Sequence, residues 1–375
     1  MHTRWYRQLW DFLRSREGFG TLLIAAFSAI ALGVVPNMLQ KLWDSGWFYL
    51  AVFLVATVTV VLGWIFRRER GVGVVIHMYP LLTTETGRLE ALLAASAKNH
   101  SSTLYLPPTL LQPGGELLAP LARADLVADL IDARVAEQTR NGREGDVTIY
   151  PLIKMRDGFL LGRRLAEDRA KTFTVMHVSA NRDTVLPTIR LGAHLTNPLT
   201  HQQQALINNC LRQPDAPVTP IAHPNCPPEH RHRLAFIVRL SRGDTMTADA
   251  RHVAKTGSVR LPSGRHTGFV FDHEHPDTPT TPCGAHLIVE ASTDYLPETQ
   301  QTFAAIATHL YRTWTAARDN WQAESGSSDT ETRLFLMTPL PITMALGWLM
   351  SRANADVAHH EYRIAQQSTP ISETP

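Results

Sequence analysis

The sequence predicts an α/β protein in which two N-terminal transmembrane helices precede two fused Rossmann-like units. Three observations carry this. Two uncharged apolar segments stand near the start of the chain, at about 21–39 and 47–66. Strands and helices alternate through the rest, which implies parallel β-α-β units with right-handed crossovers. A phrase recurs some 180 residues apart: RDGFLLGRRLAEDRAKTFTVMHV, Arg156 to Val178, and PITMALGWLMSRANADVAHHEY, Pro341 to Tyr362.

The membrane hairpin comes first. TLLIAAFSAIALGVVPNML and WFYLAVFLVATVTVVLGWIF carry no charge, and roughly 20 helical residues match a hydrocarbon core of about 30 Å. Arg4, Arg7, Arg14 and Arg16 precede the first segment, and Arg67, Arg68 and Arg70 follow the second. The loop between them holds only Lys41, offset by Asp44. Positive charge stays inside, so both termini are expected in the cytoplasm. Trp43, Trp47, Phe48, Tyr49 and Trp64 fall near the interfaces, where aromatic rings are favoured. Ala25, Ala29 and Gly33 recur on one face, a spacing at which helices approach closely in lipid.

Charge bounds the partners. Up to Arg70 there are eight Lys/Arg against four Asp/Glu, and the remainder holds 28 against 30, a net of −2. Duplex nucleic acid needs a concentrated basic face, so it is not the expected partner. Three scattered cysteines, Cys210, Cys226 and Cys283, make no disulfide scaffold.

Past the hairpin, Val72–Tyr79 reads as a buried strand, 87–97 as a helix, and about 116–139 as a longer helix after the Pro107-Pro108 and Gly114-Gly115 breaks. Val147–Ile153 is a strand, 158–168 a helix and Thr172–Val178 a strand. The second copy gives a strand at Ala285–Ser292, a helix from Pro297 to about Trp321, a strand at Thr332–Thr338, a helix over 342–352 and a strand over 356–362. The domain organisation is then a hairpin at 1–70, a sensor domain at 71–365 and a disordered tail at 366–375. The sensor comprises one half at 72–187, a connecting region at 188–284 and a second half at 285–365. Gly162 and Gly347 occupy matching mid-helix positions, where glycine costs about 1 kcal/mol relative to alanine. A close approach to the sheet or to a ligand would account for them.

Chemistry-bearing motifs are absent: no G-x-S-x-G, no H-E-x-x-H, no G-x-x-x-x-G-K. The cluster Cys210, His223, Cys226, His230 and His232 has no standard zinc spacing and reads as a solvated loop, as does the stretch with His273, His275 and Cys283. No catalytic residue, cofactor or metal is expected.

The P-x-x-x-A-L-G-x-x-x-x-R pattern of Pro341 to Arg352, followed by a strand ending in HEY, and its weaker echo at Gly158–Val178, resemble the SAVED domain. That family is similar to two fused CARF units and senses cyclic oligonucleotides in the bacterial antiphage systems called CBASS. The resemblance spans roughly 72–364, and two membrane helices before such a domain match an effector architecture of the family. It implies a non-enzymatic receptor at the bacterial inner membrane. A cyclic di- or trinucleotide from a cognate cyclase would drive homo-oligomerisation, and the lipid bilayer would then be disrupted, killing the cell. Ligands of open α/β sheets bind beyond the carboxyl ends of the strands. Those ends supply Tyr79, Thr83, Thr84, Lys154 and Arg156 in the first half, and Ser292, Thr293, Asp294 and Thr338 in the second. Hydroxyls and Lys154 suit phosphate or ribose, and Tyr79 could stack on a base. Two other readings stay open: a membrane-tethered enzyme with an unrecognised active site, and a membrane adaptor for a protein partner.

Overall fold

The computed structural model describes residues 69–79, 86–140, 146–167, 171–179, 184–212, 218–243, 245–270 and 281–360, together with 24, 54–59 and 61. The expected membrane segments, 21–39 and 47–66, lie outside the described residues except for those last few, which are helical. No helix among the described residues is long and apolar enough to cross a membrane. The expected tail at 366–375 also lies outside them.

The first half is built from β1 (Glu69–His77), α1 (Thr86–Asn99), β2 (His100–Leu106), α2 (Pro120–Arg140), β3 (Asp146–Leu152), α3 (Met155–Leu165) and β4 (Phe173–Val178). Then follow β5 (Val185–Leu191), α4 (His201–Cys210) and β6 (Ile221–Ala222). The second half comprises β7 (Arg233–Arg239), α5 (Met246–Thr256), β8 (Phe269–Val270), β9 (Ala285–Glu290), α6 (Gln300–Ser325), β10 (Glu331–Met337), α7 (Leu340–Leu349), β11 (Ala355–Val357) and β12 (His359–His360). The first sheet runs β2-β1-β3-β4-β5 and the second β11-β10-β7-β9-β6. Reversed, the second reads β9-β7-β10-β11, the same order as β2-β1-β3-β4, and all these strands are parallel. Each sheet adds one antiparallel edge strand, β5 on β4 and β6 on β9.

The second half therefore opens at Arg233, inside the stretch 188–284 expected to connect the halves. RLAFIVR is its central strand, apolar and buried on both faces as a middle parallel strand must be. In the first half the strand matching β9 is β2, which the sequence conceals. Its Ser102 and Thr103 are polar because their hydroxyls have partners, Arg134 Nη2 at 2.5 Å and Ser96 Oγ at 2.8 Å.

Helix α1 covers the outer face of the first sheet, and α5 that of the second. The inner faces share one core. Val74, Ile76 and Ile149 of one sheet, Phe236, Leu334 and Leu336 of the other, and side chains of α2, α3, α6 and α7 form a single apolar cluster. Helix α7 is apolar on every side and buried from Pro341 to Leu349, as a helix enclosed by both halves must be.

Helices α3 and α7 meet at their glycines. A Cβ on Gly162 would stand 2.1 Å from Met344 O, and one on Gly347 would stand 2.0 Å from Phe159 O. The close approach is thus helix to helix, backbone against backbone, and not helix to sheet or to ligand. The direction also follows. Gly158 faces Leu340 and Met344, and Gly162 faces Met344 and Trp348. Four residues on in one helix match four residues on in the other, so the two run parallel and start at the same end.

Gly162→Ala and Gly347→Ala should each lower stability by about 1–3 kcal/mol or more, since a backbone carbonyl must move aside. Gly87→Ala, with nothing within 4 Å of the added Cβ, should be neutral or slightly stabilising. Thermal melts of the three variants check this, and equal tolerance at Gly162 and Gly87 would contradict it.

Candidate ligand site

Because α3 and α7 start together, the carboxyl ends of both sheets open toward one side. There α3 begins at Lys154, which caps it in extended conformation without a side-chain bond. Its first-turn N–H groups have no partner within the helix, and Asp157 in that turn complements the dipole. Asp157 is buried and held by Arg123 of α2, whose Nη2 and Nε donate to Oδ1 at 2.5 and 3.2 Å. Arg123 also donates to Leu118 O at 2.5 Å, so the pair fixes how α3 enters the site.

Beside these groups stand residues of the other half. Burial pushes the Arg156 guanidinium below its ordinary value, while the Asp356 and Asp157 carboxylates oppose that shift. His359 is pushed down to about 4 by burial and by the charges of Lys154, Arg156, His360 and Arg123. Arg123 is neutralised by Asp157, which leaves Lys154 and Arg156 to supply the positive charge at the head of α3, and such an edge suits an anion.

Of the expected site residues, Lys154 is exposed and Arg156 half-buried, both at the head of α3. Tyr79 follows β1, the sheet neighbour of β3, and Met78 N donates to Leu152 O at 3.4 Å, so Tyr79 and Lys154 leave adjacent strand ends. Its ring meets His77 edge-on at 6.1 Å. Thr83 and Thr84 lie outside the described residues. Thr338 follows β10 but is buried, its hydroxyl 2.6 Å from that of Thr343. Ser292, Thr293 and Asp294 follow β9, two strand spacings, about 10 Å, from the end of β10. They are exposed, and their two hydroxyls serve backbone carbonyls: Ser292 Oγ donates to Asn209 O and Thr293 Oγ1 to Tyr295 O, each at 2.9 Å.

The two halves are not equal here. Where the first half offers Lys154 and Arg156, the second closes its strand ends with an ion pair. Glu290 accepts from Arg239 Nε at 3.1 Å and from Thr247 Oγ1 at 2.6 Å, and these partners hold its carboxyl below the usual range despite burial. Arg123, Asp356 and His359 were not singled out in the sequence. Only the adjacency of His359 to the HEY strand ending hints at them, because their place depends on contacts between halves.

The Cys- and His-containing stretch is not a solvated loop. His223 and Cys226 are buried, and His223 joins Cys283 O at 2.8 Å and His286 Nδ1 at 2.7 Å. Cys210, Cys226 and Cys283 are buried free thiols, and burial pushes that of Cys283 up to about 12. Among the described residues no three His, Cys, Asp or Glu side chains converge to hold a metal ion. His273 and His275 lie outside them.

No protein-family model matches the chain, and no curated protein matches it in sequence. Among solved structures it is similar to the Acinetobacter baumannii Cap4 SAVED/CARF-domain containing receptor with the cyclic trinucleotide 3'3'3'-cAAA, at 11% identity and a TM-score of 0.38, covering 82% of this chain and 52% of that one. The same receptor with 2'3'3'-cAAA gives 9% identity and 0.38, covering 82% and 51%. The receptor alone gives 9% identity and 0.35, covering 82% and 50%. The chain thus spans about half the length of these receptors. A TM-score below 0.5 leaves the ligand to be argued from this chain's own residues.

His100, His286 and His359 have folded values of about 4, against about 6.5 unfolded. Between those values the unfolded chain binds more protons, so stability is full above about pH 6.5 and is lost as pH falls toward 4. The melting midpoint of the chain should drop between pH 7 and pH 5. A midpoint that stays level or rises on acidification would contradict these assignments.

Proposed function

We propose that this chain is a membrane-anchored receptor of a bacterial antiphage signalling system. Its α/β domain binds a cyclic oligonucleotide, a cyclic di- or trinucleotide made by a cognate cyclase. Subunits then assemble, and the membrane hairpin breaches the inner membrane. The observation that carries the reading is the shared entrance of the two halves. Two similar units whose strand ends open toward one side, with Lys154 and Arg156 at the head of α3 of one of them, suit a ligand that is itself cyclic, repetitive and anionic. The resemblance of the Pro341–Tyr362 phrase to SAVED domains points the same way. In this reading the domain is a sensor and performs no chemistry.

The membrane part rests on the uncharged segments and on the arginines that flank them. The few described residues there agree with it. Leu54, Val55, Val58 and Val61 turn apolar side chains outward from a helix, each between 47% and 58% exposed. A hairpin of two helices cannot enclose a pore alone, because each backbone polar group in lipid must be paired within the protein. A lesion therefore needs several chains, which is why assembly belongs to the proposal.

Two outcomes follow. Lys154→Glu should weaken binding of the preferred cyclic nucleotide more than tenfold, a charge-assisted bond worth roughly 1.5–3 kcal/mol becoming a repulsion. Cooperative melting should persist. Titration calorimetry against a panel of cyclic di- and trinucleotides reads this, and unchanged affinity removes Lys154 from the site. In cells, co-production with an active cyclase should dissipate the membrane potential, and deletion of residues 1–66 should abolish toxicity. A truncated chain that still kills would place the lethal activity in the α/β domain and favour an enzyme.

A further inference from the structure

The connection that follows β9 is pinned along its length and turns one aromatic ring outward. Ala291 bridges Leu211, and Ser292 donates to Cys210 O through its N–H at 2.8 Å and to Asn209 O through its Oγ at 2.9 Å. Thr293 Oγ1 donates to Tyr295 O at 2.9 Å, and Leu296 is buried in the shared core. Thr299 then caps α6, its Oγ1 accepting from Thr302 N at 3.1 Å. Between these anchors Tyr295 is 68% exposed.

The first half repeats the arrangement. Strand β2 holds the place in its sheet that β9 holds in the other, and the connection from β2 to α2 exposes Leu110 and Leu117, with Leu121 exposed in the first turn of α2. Tyr105, near the end of β2, is exposed too. A single exposed apolar side chain is ordinary. Among the described residues of the α/β domain, however, the only other large one exposed is Ile221, so the rest gather where strands end. The cations stand at that same end. Arg123 of α2 bonds both Leu118 O and Asp157 Oδ1, so the apolar rim of the first half adjoins the helix turn that Lys154 caps.

We propose that Tyr295 is a stacking platform for a nucleobase of the ligand whose phosphates meet Lys154 and Arg156. The proposal rests on the reading of the shared entrance as a nucleotide site. A phenol ring offers a flat apolar face, and stacking on such a face accepts any base. Cations alone hold a phosphate whatever it carries. The ring makes the entrance select nucleotides among anions. From Lys154 to Tyr295 the path crosses the contact of α3 with α7 and then two strand spacings, about 10 Å, from β10 to β9. The base on Tyr295 and the phosphate at Lys154 therefore belong to different nucleotides of one ligand.

The test titrates the full chain with the cyclic di- and trinucleotide panel, with linear diadenylate, and with sodium tripolyphosphate as a probe that has phosphates and no base. Tyr295→Ala should weaken the tightest-binding nucleotide about 5- to 100-fold and leave tripolyphosphate affinity and the melting midpoint unchanged. Tyr295→Phe should bind as the parent does, because the ring and not the hydroxyl is used, and Tyr295→Trp should bind at least as tightly. Undiminished nucleotide affinity in Tyr295→Ala overturns the proposal. A loss shared by Tyr295→Phe assigns the hydroxyl and overturns it as well. A lowered melting midpoint with a parallel loss of tripolyphosphate makes the residue structural, and lost assembly at unchanged affinity makes it a contact between copies of the chain; either result overturns it. Ring-dependent binding of diadenylate without binding of any cyclic nucleotide supports the platform and sinks the cyclic-ligand reading. Cyclic-nucleotide binding that ignores Tyr295 does the reverse, and a chain that binds no nucleotide overturns both.

Discussion

Two helix backbones touch at Gly162 and Gly347, and much of the architecture depends on that contact. Each glycine costs its helix about 1 kcal/mol relative to alanine. In return the carbonyls of Met344 and Phe159 come within about 2 Å of where a Cβ would stand. A spacing this short merges the inner faces of the two sheets into one core, from Val74 and Ile149 to Phe236 and Leu334. It also fixes direction. With α3 and α7 parallel, both sheets present their strand ends to one side, and a duplicated chain acquires one entrance in place of two opposed ones.

Electrostatics then distinguishes halves that the fold makes alike. The first brings Lys154 and Arg156 to the entrance and anchors α3 through the buried Arg123–Asp157 pair. The second ties up its own cation, Arg239, with Glu290 and lays β11 along α3, where Arg163 donates to Ala355 O. With Lys154 and Arg156 on one side only, the entrance would orient the anion proposed to bind there. A symmetric crevice with two equal cationic sides would not orient it.

Much of this was legible in the sequence. The elements from β3 to β4 and from β9 to α7 fall within a few residues of where periodicity places them, because their apolar runs and flanking turns are strong, whereas the single strand expected over 356–362 divides into β11 and β12, which belong to different sheets. The matched glycines announced a close approach, though not that they approach each other. Edge strand β2 was concealed by hydroxyls that find partners only in the folded chain, Ser102 with Arg134 and Thr103 with Ser96. Strand β7 was visible as RLAFIVR, but its place at the centre of the second sheet is a matter of pairing with β10 and β9, which no local pattern encodes. The site divides the same way. Lys154 and Arg156 follow from the rule of strand ends, whereas Arg123, Asp356 and His359 enter through contacts between distant segments. Thr338 obeys the same rule and is nevertheless buried against Thr343.

The central claim is that two halves make one site, and stoichiometry tests it most directly. Calorimetric titration of the full chain with the tightest-binding cyclic nucleotide should saturate at one ligand per chain. Two equivalents per chain, one for each half, would contradict the shared entrance.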